Sequence, residues 1–211
     1  MAGFQPHEEQ FKIRNYDVDA EGRLRFRSLM AFMQESAANH AVILGLGYEY
    51  LQDKGLAWVL AHMSMDLKIM PMLGGKIQVK TWPSSSNKYY AFRRFEVLDG
   101  EGNLVCTAIS TWVLLDVVKR RMCAMSQEVI DLRAHGHEPD AEPDPRPYKI
   151  PVLEASQHQV EITARRDDLD QNGHVNNTVL MGWLLEAVPD SAYKSMRLKK
   201  IEISFRAECL Y

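Results

Sequence analysis

DLDQNGHVNNTVLMGWLLE, residues 168–186, repeats DVDAEGRLRFRSLMAFMQE, residues 17–35, without a gap and at a constant offset of 151 positions. Asp17/Asp168, Asp19/Asp170, Gly22/Gly173, Leu29/Leu180, Met30/Met181 and Glu35/Glu186 are identical, and Phe32 and Trp183 are both aromatic. The differences are chemical in kind. Glu21 faces Asn172 and Arg23 faces His174, so the compact Asp-x-Asn-x-His set occurs in the second copy alone. A duplicated unit with one equipped copy points to a fused pseudo-dimer holding a single site.

Reading outward from the first copy, residues 28–55 predict one long helix. Leu29, Phe32, Met33, Ala37 and Leu44 recur near helical spacing, and Gly45, Gly47 and Gly55 punctuate its end. The pattern then switches to strands at 57–70, 76–82, 89–98 and 104–117. Ile77, Val79 and Thr81 share one face, and DGEGN at 99–103 is a hairpin turn. A long helix followed by long antiparallel strands describes a sheet curled around a helix, the α+β hotdog arrangement.

Five prolines between Pro139 and Pro151 deny residues 133–157 regular structure and mark a linker. The expected division is an N-terminal hotdog at 1–132, the linker at 133–157 and a C-terminal hotdog at 158–211. His135 and His137 in the linker are read as loop residues rather than metal ligands. Residues 158–170 resemble the start of the chain, so a strand is expected to open both copies. KKIEISFRAECLY aligns with MSMDLKIMPML, placing Glu202 against Asp66, Glu208 against Met72 and Cys209 against Leu73. The second copy then lacks most of the strands that the first possesses. An incomplete second hotdog leaves edges unpaired, and the polypeptide is expected to continue beyond Tyr211.

Composition excludes several classes. A hydrophobic content of 46%, a charged content of 25% and a net charge of −3 suit a globular chain and argue against a nucleic-acid-binding surface. No apolar run approaches the ~18 residues of a membrane span. Cys106, Cys123 and Cys209 are widely spaced and form no CxxC, which suits free thiols in a reducing, cytoplasmic setting.

The candidate site is Asp170, Asn172 and His174, read as alternating along a short extended segment and so projecting to one face. Asn176 or Asn177 can cap the helix that follows. Backbone amides at that helix start suit a carbonyl oxygen gathering negative charge. Glu208 adds a carboxylate from a neighbouring strand. A carboxylate, an imidazole and an amide around one point fit acid–base-assisted attack on an acyl group. The alternative is a turn whose polar residues only cap a helix. Because the first copy keeps Asp19, Asp170 is in part structural. Cys209 is either a nucleophile with His174 as its base or a small buried apolar residue. Glu35 and Glu186, present in both copies, read as structural. The basic pairs and runs Arg93-Arg94, Lys119-Arg120-Arg121 and Lys199-Lys200 are either solvated faces or a landing site for an acidic carrier or a phosphate.

DLDQNGHVNN, GWLLEAVP and FRAEC, together with FRRFEVLDGEGNLVCTAISTWVLLDVVKRRM, resemble the acyl-[acyl carrier protein] thioesterase family of plants and bacteria. The resemblance implies a tandem hotdog that hydrolyses the thioester between a fatty acyl chain and its carrier protein, without cofactor or metal. It implies a catalytic set of Asp170, Asn172, His174 and Glu208, with Cys209 at a position considered for a nucleophile. It also implies an acyl tail held in the N-terminal hotdog, and a cytoplasmic enzyme of bacterial type. Acyl-CoA is an alternative donor, and a homodimer is compatible with the fold. Two further readings stand beside hydrolysis: a hotdog dehydratase acting on a β-hydroxyacyl thioester, and a non-catalytic acyl-binding module.

Overall fold

The computed structural model describes residues 6–131, 150–151, 154, 158–195 and 197–211. Most of the expected linker, with His135 and His137, lies outside the described residues. In chain order the elements are β1 (His7–Lys12), α1 (Phe26–Ile43), α2 (Tyr48–Asp53), β2 (Leu56–Leu67), β3 (Lys76–Ser86), β4 (Ala91–Asp99) and β5 (Leu104–Asp116). They continue with β6 (Arg121–Cys123), α3 (Gln127–Asp131), α4 (Asn177–Glu186), α5 (Asp190–Ser195) and β7 (Lys200–Ser204). The strands form one antiparallel sheet in the order β1-β3-β4-β5-β2-β7, with β6 added to β5.

The sheet curls around α1. Leu29, Met30, Phe32, Met33 and Ala37 of the helix are buried against Met63, Met65, Ile77, Val79, Phe95 and Val97. Ile77, Val79 and Thr81 are all buried, as period-2 alternation requires. The second copy joins the same core. Met181 on α4 and Ile203 on β7 are buried in the cluster built by the first copy, and burying each such side chain contributes about 1.5–3 kcal/mol. β7 lies against β2 with Met63 opposite Ile203 and Met65 opposite Ile201, so one sheet runs through both halves.

The structure corrects four expectations. The long helix is two helices. Gly45, at φ 73°, closes α1 in a left-handed conformation that an L side chain resists, and the chain restarts after Gly47. A Cβ on Gly47 would sit 2.6 Å from Val42 Cγ2, so this close approach requires glycine. Second, residues 158–165 form no strand. A strand needs a hydrogen-bonded neighbour, and among the described residues β7 is the second copy's one strand. Third, the repeat's register near its end shifts by two. Leu24 N–H donates to the Pro71 carbonyl at 2.8 Å, and Val175 N–H donates to the Cys209 carbonyl at 2.8 Å. Pro71 is therefore the counterpart of Cys209, and Met70 that of Glu208. The counterpart remains apolar. Fourth, residues 170–174 are a tight loop, described next.

Candidate functional site

One five-residue loop, Asp-x-x-Gly-x, occurs three times among the described residues, at residues 19–23, 99–103 and 170–174. In each, the first residue's N–H donates to the fifth residue's carbonyl, and the glycine N–H donates back to the first residue's carbonyl. In each, the aspartate Oδ1 accepts from the third and fifth backbone N–H groups. The distances are 3.1 and 2.8 Å for Asp19, 2.9 and 2.8 Å for Asp99, and 2.8 and 3.3 Å for Asp170. The glycines sit at φ 77°, 86° and 78°. Asp170 thus staples a loop from Oδ1, as Asp19 and Asp99 do. Asn172 and His174 occupy the third and fifth loop positions, and the set is a turn rather than an extended segment.

Beyond the loop, Asn176 caps α4. Its Oδ1 accepts from Thr178 N–H at 2.8 Å and from the Thr178 hydroxyl at 2.7 Å. The loop and the cap line a cavity of about 650 Å³. Asp170, Gln171 and Asn172 contribute from the second copy, and Gln34, Glu35 and Asn39 of α1 contribute from the first. The N-terminal half adds an apolar surface of Val42, Leu46, Leu51, Trp58, Phe92 and Trp112, together with the polar Ser85, Ser86 and Arg93. One cavity thus carries polar groups of both copies and an apolar wall from the first. The repetition of Glu35 in both copies suggests a structural role, but its side chain is exposed and lines this cavity.

His174 and Glu208 meet beside the loop, with Nε2 and Oε2 3.4 Å apart. Arg120, from the β5–β6 turn, contacts the same Glu208 oxygen. Neither His174 nor Glu208 is among the residues lining the cavity. Four of the five expected residues thus form two groups, Asp170 with Asn172 at the cavity and His174 with Glu208 outside its lining. Cys209 contributes its backbone carbonyl to Val175, while its Sγ lies 4.0 Å from the Leu210 carbonyl oxygen. Cys106 is buried, and that burial, with Asp66 nearby, pushes its thiol up to about 12, which keeps it inert.

The basic clusters separate. Lys119, Arg120, Arg121, Lys199 and Lys200 are exposed, whereas Arg93 is 9% exposed and cannot serve as a landing site. Arg93 Nη1 donates to Thr81 Oγ1 at 3.1 Å and lies 3.1 Å from His40 Nδ1. Burial pushes its guanidinium down to about 10. Burial, Arg93 and His7 together push His40 down to about 4, so the imidazole is neutral and can accept from Arg93. Nearby, Glu9 accepts from Ser36 Oγ at 2.8 Å and Asn39 Nδ2 at 2.7 Å. Burial alone would raise the Glu9 carboxyl, but the hydrogen bonds from Asn39, Ser36 and His7, with the His7 charge, together outweigh it and hold it below the usual range.

Sequence reasoning passed over Arg120 as a contact of Glu208 and the α1 face as part of the cavity. Arg120 lies 88 positions from Glu208, and no local spacing links them. Glu35 had a signal that pointed elsewhere, since its identity with Glu186 favoured a role common to both copies.

Comparison with known proteins places this geometry. The sequence model of the acyl-ACP thioesterase N-terminal domain matches residues 5–132, and that of the acyl-ACP thioesterase C-terminal domain matches residues 153–211. A chloroplastic palmitoyl-acyl carrier protein thioesterase of Cuphea hookeriana is 30% identical over 95% of this chain and 51% of its own length. This chain spans about half the length of the curated relatives it matches. An acyl-ACP thioesterase structure from Bacteroides thetaiotaomicron superposes with a TM-score of 0.86 at 27% identity, covering 97% of this chain and 82% of that one. The 12:0-ACP thioesterase of Umbellularia californica gives 0.82 at 28% identity, covering 96% and 82%. The architecture is thus the tandem hotdog of these structures, and no helix among the described residues is long and apolar enough to cross a membrane. With both halves matched in order, the chain belongs to the acyl-ACP thioesterase family.

Proposed function

We propose that the protein hydrolyses fatty acyl-[acyl carrier protein] thioesters to a free fatty acid and the holo-carrier protein, ending chain elongation. The observation that carries this reading is the cavity itself, in which Asp170, Gln171 and Asn172 share the lining with an apolar surface of α1, α2 and the sheet. Its volume of about 650 Å³ falls within the roughly 300–1,000 Å³ typical of small-molecule sites. An acyl tail fills the cavity and presents its thioester carbonyl to the loop.

In this reading the Asn172 amide and the amides at the start of α4 hold the carbonyl oxygen as it gathers charge. Water adds to the carbonyl carbon, losing a proton to a carboxylate, either Asp170 directly or Glu208 through the neighbouring His174. The C–S bond then breaks, and the departing thiolate takes a proton from His174. Glu208, 3.4 Å from His174, orients the imidazole. Asp170 holds the loop from one oxygen and keeps the other for attack or orientation.

The donor is part of the proposal, with a carrier protein favoured over coenzyme A because both family domains match. Cytoplasmic placement and the division at 1–132, 133–157 and 158–211 belong to it as well. The relatives named above act on palmitoyl and 12:0 chains, so chain length is to be measured here rather than transferred. The test is to incubate the full-length protein with acyl-carrier and acyl-CoA substrates of graded length, recording free thiol and fatty acid. Hydrolysis of acyl-carrier substrates supports the reading. A new enoyl absorbance without thiol release would make the protein a dehydratase, and tight acyl-carrier binding without turnover would make it a binding module.

A further inference from the structure

We propose that Arg120 is a positioning residue for the hydrolytic site, supplied by the N-terminal hotdog to the Glu208 carboxylate of the C-terminal one; this rests on the thioesterase reading above. The starting observation is backbone conformation. Arg120 is the one non-glycine residue with positive φ among the described residues, at 49°. It closes the turn between β5 and β6, where glycine or asparagine adopts that conformation at lower cost. A charged side chain kept at such a position is a reason to ask what it touches.

The turn is built to hold that pose. Asp116 Oδ1 accepts from Val118 N–H at 3.1 Å and Lys119 N–H at 2.8 Å, while Lys119 Nζ returns to Asp116 Oδ2 at 3.1 Å. Those bonds from Lys119 hold the Asp116 carboxyl below its usual range. Val117 N–H donates to the Gly55 carbonyl at 3.0 Å, tying the turn to the end of α2. With Asp116 and Lys119 satisfied by each other, Arg120 is the member of the basic run that crosses to the other half. Its Nη2 contacts Glu208 Oε2, the oxygen that also faces His174 Nε2.

Glu208 lies beyond the end of β7, on irregular chain rather than on the strand expected for it, and its carboxylate can rotate about three single bonds. Pinned between a guanidinium and an imidazole, it is held in the orientation that serves His174. Exposed ion pairs add little stability, so the effect of Arg120 is on geometry. The first copy shows no such arrangement, since the counterpart of Glu208 there is Met70. The hydrolytic site is thus composite, completed by a turn of the half whose own loop is inert.

The experiment compares full-length native protein with Arg120→Ala, Arg120→Lys and Glu208→Gln, using an acyl-carrier substrate and the same acyl group on N-acetylcysteamine. Arg120→Ala is expected to lower kcat about ten- to a hundredfold on both substrates with Tm unchanged. Arg120→Lys should recover part of that loss, and Arg120→Ala should add little to Glu208→Gln. A rise in KM confined to the carrier-linked substrate would overturn the proposal and make Arg120 a docking residue. Unchanged kinetics, or a loss that follows a fall in Tm and resists the lysine variant, would overturn it too. Wild-type protein inactive on both substrates overturns the enzyme reading itself, whereas an active wild type with a silent Arg120→Ala overturns this inference alone.

Discussion

The loops at 19–23 and 170–174 share a backbone and differ in where their fifth side chain goes. In the first, Arg23 folds back, with Nε on Asp19 Oδ2 at 3.0 Å and Nη2 on Glu21 Oε2 at 2.9 Å. The loop neutralises its own carboxylates and is chemically closed. In the second, Asn172 replaces Glu21 and His174 replaces Arg23, so no cation turns back. Asp170 is engaged through Oδ1 alone among the hydrogen bonds described, and His174 reaches outward to Glu208. In the proposed reading, a repeated scaffold acquires chemistry by leaving one carboxylate oxygen uncommitted and redirecting one side chain.

The strongest way to break this comparison is to remove the aspartate from each loop. Asp19→Ala and Asp170→Ala each take an acceptor from two backbone N–H groups, and both are expected to cost about 1–3 kcal/mol by chemical denaturation. Hydrolysis should separate them, with Asp170→Ala losing at least about a hundredfold in kcat/KM and Asp19→Ala retaining the wild-type rate once corrected for the folded fraction. Equal losses of activity would mean that Asp170 is only a staple.

The halves also differ under acid, because the first carries a buried neutral histidine. His40 titrates at about 4 in the fold and near 6.5 when unfolded. Its depressed value means stability is fully present above pH 6.5 and is lost as the pH falls toward 4. The ceiling is about 3 kcal/mol over that window. His40→Gln keeps an acceptor for Arg93 and should flatten the fall, as read by urea midpoints at pH 7, 6, 5 and 4. An unchanged slope would show that His40 is not neutral in the fold.

Gly22→Ala and Gly173→Ala sharpen the comparison through the backbone. A Cβ meets nothing within 4 Å at Gly173 and only Met72 Cε at 3.6 Å at Gly22. The cost is conformational, about 1–2 kcal/mol each, and the two should match in Tm. A much larger fall at one position would show that the loops are not equivalent. The smallest effect belongs to Glu35→Gln. An exposed cavity wall residue should change stability by less than about 0.5 kcal/mol, whereas a larger change in Tm would restore the structural role that its repetition in both copies suggested.

Much of this was legible in the sequence because it is local. The hairpin at Asp99–Asn103, the alternation of Ile77, Val79 and Thr81 and the paired copies of Asp, Gly, Leu and Met all read directly. The break after Ile43 escaped because periodicity continues through Leu44, while Gly45 and Gly47 act through dihedral angle and close approach. The strand expected at 158–165 escaped for another reason: pattern describes what a segment can form, and pairing requires a neighbour. The candidate residues were legible by their asymmetry between copies, but their grouping was not. Asp170 and Asn172 face the cavity while His174 turns to Glu208, a division made by a tight loop that was read as extended. Arg120 reaches Glu208 only through the sheet's topology.

The central claim is that one of two equivalent loops performs the chemistry. It is tested most directly by comparing Asn172→Ala/His174→Ala with Glu21→Ala/Arg23→Ala in acyl-carrier hydrolysis, with folding checked by circular dichroism. The account predicts that the first pair loses about 10³-fold or more in kcat/KM and that the second stays within about twofold of wild type, as for other surface changes. Full hydrolysis by the Asn172→Ala/His174→Ala protein, or a comparable loss in both, would contradict it.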